Sequence, residues 1–350
     1  MTAVHAPAPT VDDVAKAAGV STATVSRALN RPDAVRPALR QAVLAAVQAL
    51  GYVPNAGARA MTLRKSGTVG VVVPTVDNAI FAQGLQAFQR RMAAGGRHVL
   101  LAISDYDADQ EAAQVGNLVA RGVDALALTG LSQRPLLIER LRQRGLPWVH
   151  CGSYPAPDGA ACVGFVNRTA VARAVRYLVD LGHRRIAMLA GITRDNDRAA
   201  ERLAGVRETL RQAGLALRPD ALVEAAYDLA SAREGTRTLL RAAVPPTALV
   251  CGNDVLAYGA LIEAQAQGIA VPSQLSIVGF DDLDLSRHWQ PGLTTIHVPT
   301  ERMWTLAAEH LMARLDGLAD APVQQEVDIE LVVRGSTAPP PRTGAVRSRR

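Results

Sequence analysis

From Thr68 onward, short runs rich in Val, Ile and Leu alternate with longer amphipathic stretches. This alternation is typical of a parallel α/β sheet, in which each buried strand is followed by a helix that packs on one face of the sheet. With 49% hydrophobic residues, the chain can fill a large core. We predict strands at Thr68–Pro74, His98–Ile103, Ala125–Leu128, Trp148–Cys151, Arg185–Leu189, Ala248–Cys251, Ser276–Phe280 and Thr294–His297.

Helical patterns lie between most of these strands. Two successive strand–helix runs, before and after about Phe165, predict two similar doubly wound lobes within a core of residues 66–338. The first lobe would comprise about 66–165 and 297–323, and the second about 166–296 and 324–338. Such folds bind ligands in the crevice at the carboxyl ends of their strands. The clearest helices are Phe81–Ala94, Gln110–Arg121, Ala170–Leu181, Arg202–Ala213, Ala257–Gln267 and Thr300–Leu315.

Residues 10–53 have a different pattern, in which helical periodicity is interrupted by turn residues. Thr10, with a carboxylate three residues later, is a variant of the capping box, and Gly19 can adopt the left-handed conformation that ends a helix. Ser21 can then cap a second helix, Thr22–Leu29. Two short helices joined by a tight turn are typical of a helix-turn-helix. A third helix, Pro37–Leu50, is expected to pack behind them through Leu39, Val43, Leu44, Val47 and Leu50.

The second of these helices carries side chains suited to DNA on its outward face. Arg27 can bond a guanine edge through two parallel hydrogen bonds, and the small residues Thr22 and Ala23 can contact thymine methyl groups. Hydroxyl groups beside them suit phosphate oxygens. An ordinary helical hairpin with a surface arginine is the alternative that these residues alone leave open. The hydroxyl groups belong to Ser21, Thr24 and Ser26.

Positive charge is concentrated at the two ends of the chain. The net charge is +6, and residues 1–65 hold eight Lys and Arg residues against three Asp residues. The segment 339–350, which we expect to be a disordered basic tail, holds four Arg residues and no acid. A cationic N-terminal module suits a polyanionic partner, although a solvated charged surface is the alternative.

The sequence lacks the motifs that mark several classes of enzyme and metal-binding protein. The three cysteines form no CxxC pair, and the chain has no HExxH, GxSxG or Gly-rich nucleotide loop. We therefore predict no enzymatic activity, no metal and no cofactor, and we place His183 at the surface or at an interface. The first ten residues do not resemble a secretory signal, and no apolar run reaches membrane-spanning length, so we expect a cytoplasmic protein with no membrane partner.

Two sequence runs resemble a known family. VDDVAKAAGVSTATVSRALN, from Val11, and LGYVPNAGARAMTLRKSGTVGVVVP, from Leu50, are similar to the headpiece and hinge of the lactose-repressor (LacI) family. The resemblance implies a small all-α helix-turn-helix headpiece on a core like that of periplasmic sugar-binding proteins. It places Thr22, Ala23 and Arg27 at base-reading positions. It also implies backbone contacts from Ser21, Thr24, Ser26, Asn30, Tyr52 and Asn55.

The resemblance further implies a hinge helix in residues 54–65, which follow the headpiece. In the family, paired hinge helices lie in the DNA minor groove, and an apolar residue wedges between base pairs. Ala58 and Met61 fall at the groove-facing positions here. A methionine is apolar and pliable enough to act as this wedge. Because the segment is too short to form a stable helix alone, we expect it to fold only on DNA and in a dimer.

The core also has residues that match the family's effector site. Asn253 follows a predicted strand in Cys-Gly-Asn-Asp, Asp281 ends another in Gly-Phe-Asp-Asp, and Arg202 lies in Arg-Leu-Ala-Gly. Carboxylate, amide and guanidinium groups suit sugar hydroxyls or a carboxylate. Phe165 and Phe81 match aromatic walls. Helix capping, turn formation and ion pairing are the alternative roles. Weaker candidates are Arg198, His150, Tyr154 and Trp289.

These observations predict a sequence-specific transcriptional regulator, most simply a repressor of a carbohydrate or sugar-acid utilisation operon. Its partners would be a near-palindromic double-stranded operator, a small effector and a second copy of itself. The effector is expected to be a sugar or a sugar acid, with a nucleobase as the third choice because the chain has few aromatic residues. The dimer face would involve Phe81–Arg91 and the segment after Pro299. The alternative is a solute-binding protein of a sugar transport system.

Overall fold

The computed structural model describes residues 8–53, 65–318 and 323–341. The chain divides into two compact units on either side of the boundary between Ser66 and Gly67. The predictions for Asn55, Ala58 and Met61 in the hinge, and for most of the basic tail, lie outside the described residues.

The headpiece contains the three predicted helices, α1 Val11–Ala18, α2 Thr22–Asn30 and α3 Pro37–Leu50. Thr10 begins α1 with a complete capping box, because its side chain accepts from the backbone of Asp13 while the Asp13 carboxylate accepts from the backbone of Thr10. Gly19 ends α1 at φ 66°, in the left-handed region that favours glycine. The turn between α1 and α2 therefore forms as its sequence predicts.

The headpiece core is smaller than the sequence pattern of α3 indicates. Val43 and Ala46 are buried and Val47 is partly buried, against a cluster that includes Val14, Val25 and Ala28. The inward placement of Leu39, Leu44 and Leu50 was wrong, because each of them is exposed. Three short helices can bury only a narrow row of side chains on each helix, at positions i, i+3 and i+4. On α3 the three leucines lie beside this buried row and not in it.

In the described part of the core, twelve strands form two six-stranded sheets. The first sheet is entirely parallel, and the second carries β12 as an antiparallel edge strand beside β10. The predicted pair of doubly wound lobes is therefore confirmed. The first sheet has the order β11-β5-β4-β3-β1-β2, with β1 Thr68–Val73, β2 His98–Ile103, β3 Ala125–Thr129, β4 Trp148–Cys151, β5 Cys162–Gly164 and β11 Gln324–Glu326. The second has the order β12-β10-β9-β8-β6-β7, with β6 Ile186–Gly191, β7 Leu222–Ala225, β8 Ala248–Cys251, β9 Ser276–Asp281, β10 Thr294–His297 and β12 Glu330–Val332.

The boundary between the lobes differs from the expected one near residue 323. Gln324–Glu326 pairs in parallel with Cys162–Gly164, so this segment completes the first sheet, and the chain enters the second lobe only after it. The core helices are α4 Ala79–Ala94, α5 Ala108–Ala120, α6 Pro135–Gln143, α7 Asn167–Asp180, α8 Asp197–Gln212, α9 Leu229–Leu240, α10 Asp254–Ala266, α11 Asp284–His288 and α12 Thr300–Leu315. None of the helices in the described ranges is long and apolar enough to cross a membrane.

The packing of α4 on α12 positions one wall of the cleft between the lobes, which Phe81 and Trp304 line. Helices α4 and α12 can pack closely because Gly84 has no side chain; a Cβ at this position would collide with Trp304. The ring of Trp304 meets that of Phe88 edge-on at 5.9 Å.

The surface placement of His183 was wrong, since this residue is fully buried. Its ring nitrogens lie within hydrogen-bonding distance of Thr247, Ser276 and the carbonyl of Ala338, so it ties the C-terminal segment to the second lobe.

Candidate DNA-binding surface and effector cleft

The predicted base-reading residues share one exposed face of α2. Thr22, Ala23 and Arg27 are exposed, whereas Val25 and Ala28 on the opposite face are buried. The Nε of Arg27 donates to the carbonyl of Ala23 at 3.2 Å, which leaves its two terminal nitrogens for other partners. The surface has the geometry expected of a recognition helix.

The predicted phosphate-contacting residues lie beside that face. The Ser21 hydroxyl caps α2 by accepting from the Thr24 backbone at 3.2 Å, and the two hydroxyls lie 3.0 Å apart. The Asn30 amide donates to Ser26 at 3.4 Å. Tyr52 packs against the headpiece core with part of its ring exposed. Ser21 therefore serves as a helix cap, and phosphate contacts by these residues remain predictions.

A cleft in the core brings the predicted effector residues together. It encloses about 590 Å³ of space, including its mouth, and lies where strands of both sheets end. Its walls come from α4, α12 and the start of α8, and from residues at or just after the ends of β2, β3, β4, β5, β7, β8, β9 and β10. All five predicted residues line it, namely Phe81, Phe165, Arg202, Asn253 and Asp281.

Arg202 projects from α8 into this cleft and is only 8% exposed. One terminal nitrogen donates to Asn167 Oδ1 at 2.7 Å, and the other approaches the Tyr227 hydroxyl at 3.5 Å. Its guanidinium carbon lies 4.7 Å from the centre of the Phe280 ring, a favourable cation–π distance. Ion pairing, the alternative role for Arg202, is not observed, because the nearby carboxylates of Asp197 and Glu201 bond other groups.

Asp281 ends β9 with a strained backbone and an unbonded carboxyl group. Its φ is 110°, a value that L residues rarely adopt. Its side chain accepts no hydrogen bond from any residue in the described ranges. Burial raises its pKa to about 8, although the guanidinium of Arg202 opposes the shift. This carboxyl group therefore holds its proton to a higher pH than an ordinary aspartate does.

Asn253 caps a helix and also lines the cleft. Its Oδ1 caps α10 by accepting from the Leu256 backbone at 3.0 Å, so its amide N–H groups remain available to the cleft. The neighbouring Asp254 is fully buried and bonds Leu283, Ser286 and Thr295. Asp254 therefore holds β9 and β10 in place and does not line the cleft.

Several cleft residues were not predicted. The rings of Tyr106 and Tyr227, which face one another from different lobes, have centres 5.3 Å apart. Tyr106 follows predicted strand β2, so its position could have been inferred, whereas Tyr227 follows β7, which was not predicted. The other unpredicted residues are Asn78, Ile80, Thr129, Cys151, Gly152, Asn167, Asn196, Val298, Met303 and Trp304.

Of the four weaker candidates, only Arg198 lines the cleft. His150 is buried behind it, where Nε2 accepts from Trp148 and Nδ1 lies 3.0 Å from the Gly130 carbonyl. Trp289 stacks on Tyr258 away from the cleft, and Tyr154 is not among the lining residues. No group of three or more potential metal ligands occurs among the residues that the structure describes.

Asp197, at the start of α8, links the second lobe to the first across the cleft. Its carboxylate accepts from Ser153 at 2.5 Å and Ser132 at 3.2 Å, and it lies 3.1 Å from the guanidinium of Arg198. Burial raises its pKa, but Arg198 and the two hydroxyls outweigh that effect, so the pKa is lowered overall. The carboxylate is therefore ionised at neutral pH.

A helix-turn-helix headpiece on a two-lobed α/β core with a polar cleft defines a class of transcriptional regulator. The model of bacterial regulatory proteins of the lacI family matches residues 10–55, and that of the periplasmic binding protein-like domain matches residues 175–337. The chain is 34% identical to the HTH-type transcriptional repressor CytR of Escherichia coli K12 over 331 residues, covering 94% of this chain and 96% of the relative. It belongs to the lacI family of bacterial regulatory proteins.

Other relatives and solved structures agree with this assignment. Catabolite control protein A of Priestia megaterium is 32% identical over 83% of this chain and 87% of its own length. The lac repressor dimer bound to operator and the anti-inducer ONPF superposes with a TM-score of 0.83, at 28% identity, over 95% of this chain and 100% of that one. The transcriptional regulator CelR in complex with cellobiose superposes with a TM-score of 0.69, at 31% identity, over 94% and 99% of the two chains. The chain is therefore a DNA-binding transcriptional regulator and not an enzyme.

Proposed function

We propose that this chain is a cytoplasmic repressor that binds a near-palindromic operator as a homodimer, and that a sugar or sugar acid bound in the core cleft switches its operator affinity. The observation that carries the proposal is the convergence of Arg202, Asn253 and Asp281 on one cleft at the carboxyl ends of the strands. A solute-binding protein of a transport system would have no use for the headpiece.

We assign recognition of the operator's base sequence to the exposed face of α2. Replacing Arg27 with Ala should relax the choice of base at one position of each half-site by about 1–3 kcal/mol. Binding of the full chain to a library of half-site variants measures this change. Arg40→Ala removes an equal charge from an exposed position on α3 and should weaken binding to all sequences alike. If Arg27→Ala also weakened all sequences equally, Arg27 would be a phosphate contact.

Dimerisation is part of the proposal because one headpiece reads only a half-site. The lac repressor structure described above is a dimer on its operator. In this chain, Leu100 and Leu101 are exposed on β2, the edge strand of the first sheet, beside helix α4. We place the dimer face at α4, β2 and the segment after Pro299. Light scattering should give twice the chain mass, and Leu101→Glu should reduce the mass and weaken operator binding together.

The coupling between cleft and operator is tested in two steps. Candidate sugars and sugar acids are first screened for their effect on the thermal unfolding of the full chain. Any ligand that raises the midpoint should then change operator affinity by about 5- to 150-fold, the usual range of allosteric coupling. A ligand that stabilises the chain and leaves operator affinity unchanged would contradict the regulatory proposal.

A further inference from the structure

The charge of Arg202 has no anionic hydrogen-bond partner in the cleft. Its bonded partners, Asn167 and Tyr227, are neutral, and so is the Phe280 ring beneath it. Its Nε is buried and has no hydrogen-bond partner. A buried guanidinium with an unused donor is costly unless a ligand completes its bonding. This donor therefore marks a place where ligand atoms are expected.

The remaining charges of the cleft do not neutralise Arg202. The other lining arginine, Arg198, is paired with Asp197 at 3.1 Å. The other lining carboxyl group, Asp281, accepts no hydrogen bond from Arg202 or from any other residue in the described ranges, and burial raises its pKa to about 8. The anionic groups of the cleft therefore leave the guanidinium of Arg202 without a hydrogen-bonded counter-ion.

The neutral polar groups of the cleft also present donors. Asn78 and Asn253 each use Oδ1 to cap a helix, at Ile80 and Leu256, which leaves their amide N–H groups toward the cleft. Asn167 uses both ends of its amide, with Arg202 and the Gly152 carbonyl. A cleft lined by donors, among them a buried guanidinium without an anionic hydrogen-bond partner, fits a ligand rich in acceptors that carries a negative charge.

The shape of the walls restricts the ligand further. Aromatic rings from both lobes enclose the polar groups, and they can pack against the apolar C–H face of a sugar ring. Since Asp281 has no bonded partner, it is available to ligand hydroxyl groups. The aromatic wall residues are Phe81, Tyr106, Phe165, Tyr227 and Trp304.

We propose that the effector is a sugar acid whose carboxylate lies against Arg202 and whose hydroxyl groups bond Asp281 and the amide N–H groups of Asn78 and Asn253. This inference rests on the proposed function, because it names the ligand class of the same cleft. A neutral sugar would leave the charge of Arg202 uncompensated and its Nε without an anionic acceptor.

Acetate serves as a probe that does not depend on the identity of the sugar. Thermal unfolding of the full chain is measured in sodium acetate and in sodium chloride at equal ionic strength and pH 7. Acetate should raise the midpoint more than chloride does in the wild type and in Arg207→Gln, an exposed control on the same helix. Arg202→Gln should abolish the difference. An equal acetate effect in Arg202→Gln and the wild type would overturn the proposal.

A second variant covers the case in which Arg202→Gln does not fold. At pH 9 the ionised Asp281 should repel acetate in the wild type, whereas Asp281→Asn should retain the acetate effect. If the acetate effect at pH 9 were the same in wild type and Asp281→Asn as at pH 7, the carboxylate would bind elsewhere and the proposal would be wrong.

Matched sugars then separate this inference from the proposed function. Calorimetry compares D-glucuronate with D-glucose and D-galacturonate with D-galactose, and the acid of the recognised pair should bind at least about tenfold more tightly. A neutral sugar that binds more tightly than its acid and shifts operator affinity would overturn the ligand class and leave the regulatory proposal intact. A sugar acid that binds more tightly than its neutral sugar but does not shift operator affinity would support the ligand class and contradict the regulatory proposal. If neither pair binds, the acetate measurements alone test whether a carboxylate binds at Arg202.

Discussion

The carboxylate of Asp197 accepts a hydrogen bond of 2.5 Å from the hydroxyl of Ser153, and this bond joins the second lobe of the core to the first. Ser132 bonds the other carboxylate oxygen at 3.2 Å. A weaker ion pair between Arg134 and Asp195, at 3.4 Å, crosses the cleft nearby. The lobes are thus joined at the rim of the cleft in which the effector is proposed to bind, so the arrangement of the lobes and the contents of the cleft are physically connected.

Replacing Asp197 with Ala should destabilise the core. The change leaves two hydroxyls and the buried side of Arg198 without their acceptor, which costs about 3 kcal/mol in free energy of unfolding. Urea denaturation of the full chain measures it. Asp220→Asn, which alters an exposed carboxylate paired only within its own loop, is the control and should have no effect. An equally stable Asp197→Ala chain would show that the lobes are held by other contacts.

The contribution of Asp197 should also depend on pH. Its pKa in the folded chain lies below the ordinary value of 3.8, so the folded state binds the proton less readily than the unfolded state does. The stabilisation is therefore complete above about pH 5 and is lost as the pH falls through the folded pKa. The difference in stability between wild type and Asp197→Ala should shrink below about pH 4. A difference that grew with acidity would contradict this assignment.

Neighbouring residues on α3 provide a matched test of the headpiece core. Val43 is fully buried and Leu44 is 44% exposed, although the sequence pattern placed both in the core. Val43→Ala should cost about 2 kcal/mol, and Leu44→Ala less than about 0.5 kcal/mol. Hydrogen exchange of the headpiece amides in the full chain should accelerate about thirtyfold in the first variant only. Equal acceleration in both variants would indicate that Leu44 belongs to the headpiece core, as its sequence pattern predicts.

The apolar strands were predictable because their signal is local. The predicted runs from His98, Trp148 and Ala248 coincide with strands, because a mostly apolar run between two helices is typical of a strand in a doubly wound fold. Four short strands were missed. Gln324–Glu326, for example, is polar and half-buried at the edge of its sheet, so it owes its conformation to pairing and not to its own residues.

The cleft could be predicted only in part, for a related reason. Asn253 and Asp281 directly follow strong strands, and this placement was visible in the sequence. Tyr227 follows a weak strand that was missed. Trp304 enters the cleft through the packing of α12 on α4, which depends on the small size of Gly84. Contacts between segments so far apart in sequence become visible only in the folded chain.

Acetate binding should weaken as the pH rises through about 8. Burial raises the pKa of Asp281 to about 8, so above that pH the cleft gains a negative charge that repels the anion. Affinity should fall by up to about tenfold per pH unit, and Asp281→Asn should flatten the profile. A neutral sugar that donates to the carboxylate would show the opposite trend. The other groups that interact electrostatically with Asp281 are Arg198, Arg202, Tyr106, Asp254 and Tyr258.

These neighbours should not produce the same profile. The pKa of Asp254 is about 6 because of burial, so its ionisation is nearly complete before pH 8. Burial raises the pKa of Tyr106 and of Tyr258 above the ordinary value of 10, which places their titration higher. A transition near pH 8 that persisted in Asp281→Asn would therefore assign the effect to a different group.

Two glycines with the same backbone conformation allow the position of Arg198 to be tested. Gly130 has φ 72°, and a Cβ there would collide with Arg198 Nη1, whereas Gly145 has φ 62° and nothing within 4 Å. Alanine at either position should cost about 1–2 kcal/mol of backbone strain. Only Gly130→Ala should also displace Arg198 and Asp197 from the cleft rim, so it should lower the unfolding midpoint further and weaken acetate binding. If both variants lost the same stability and bound acetate equally well, the contact of Arg198 with the first lobe would have no part in shaping the cleft.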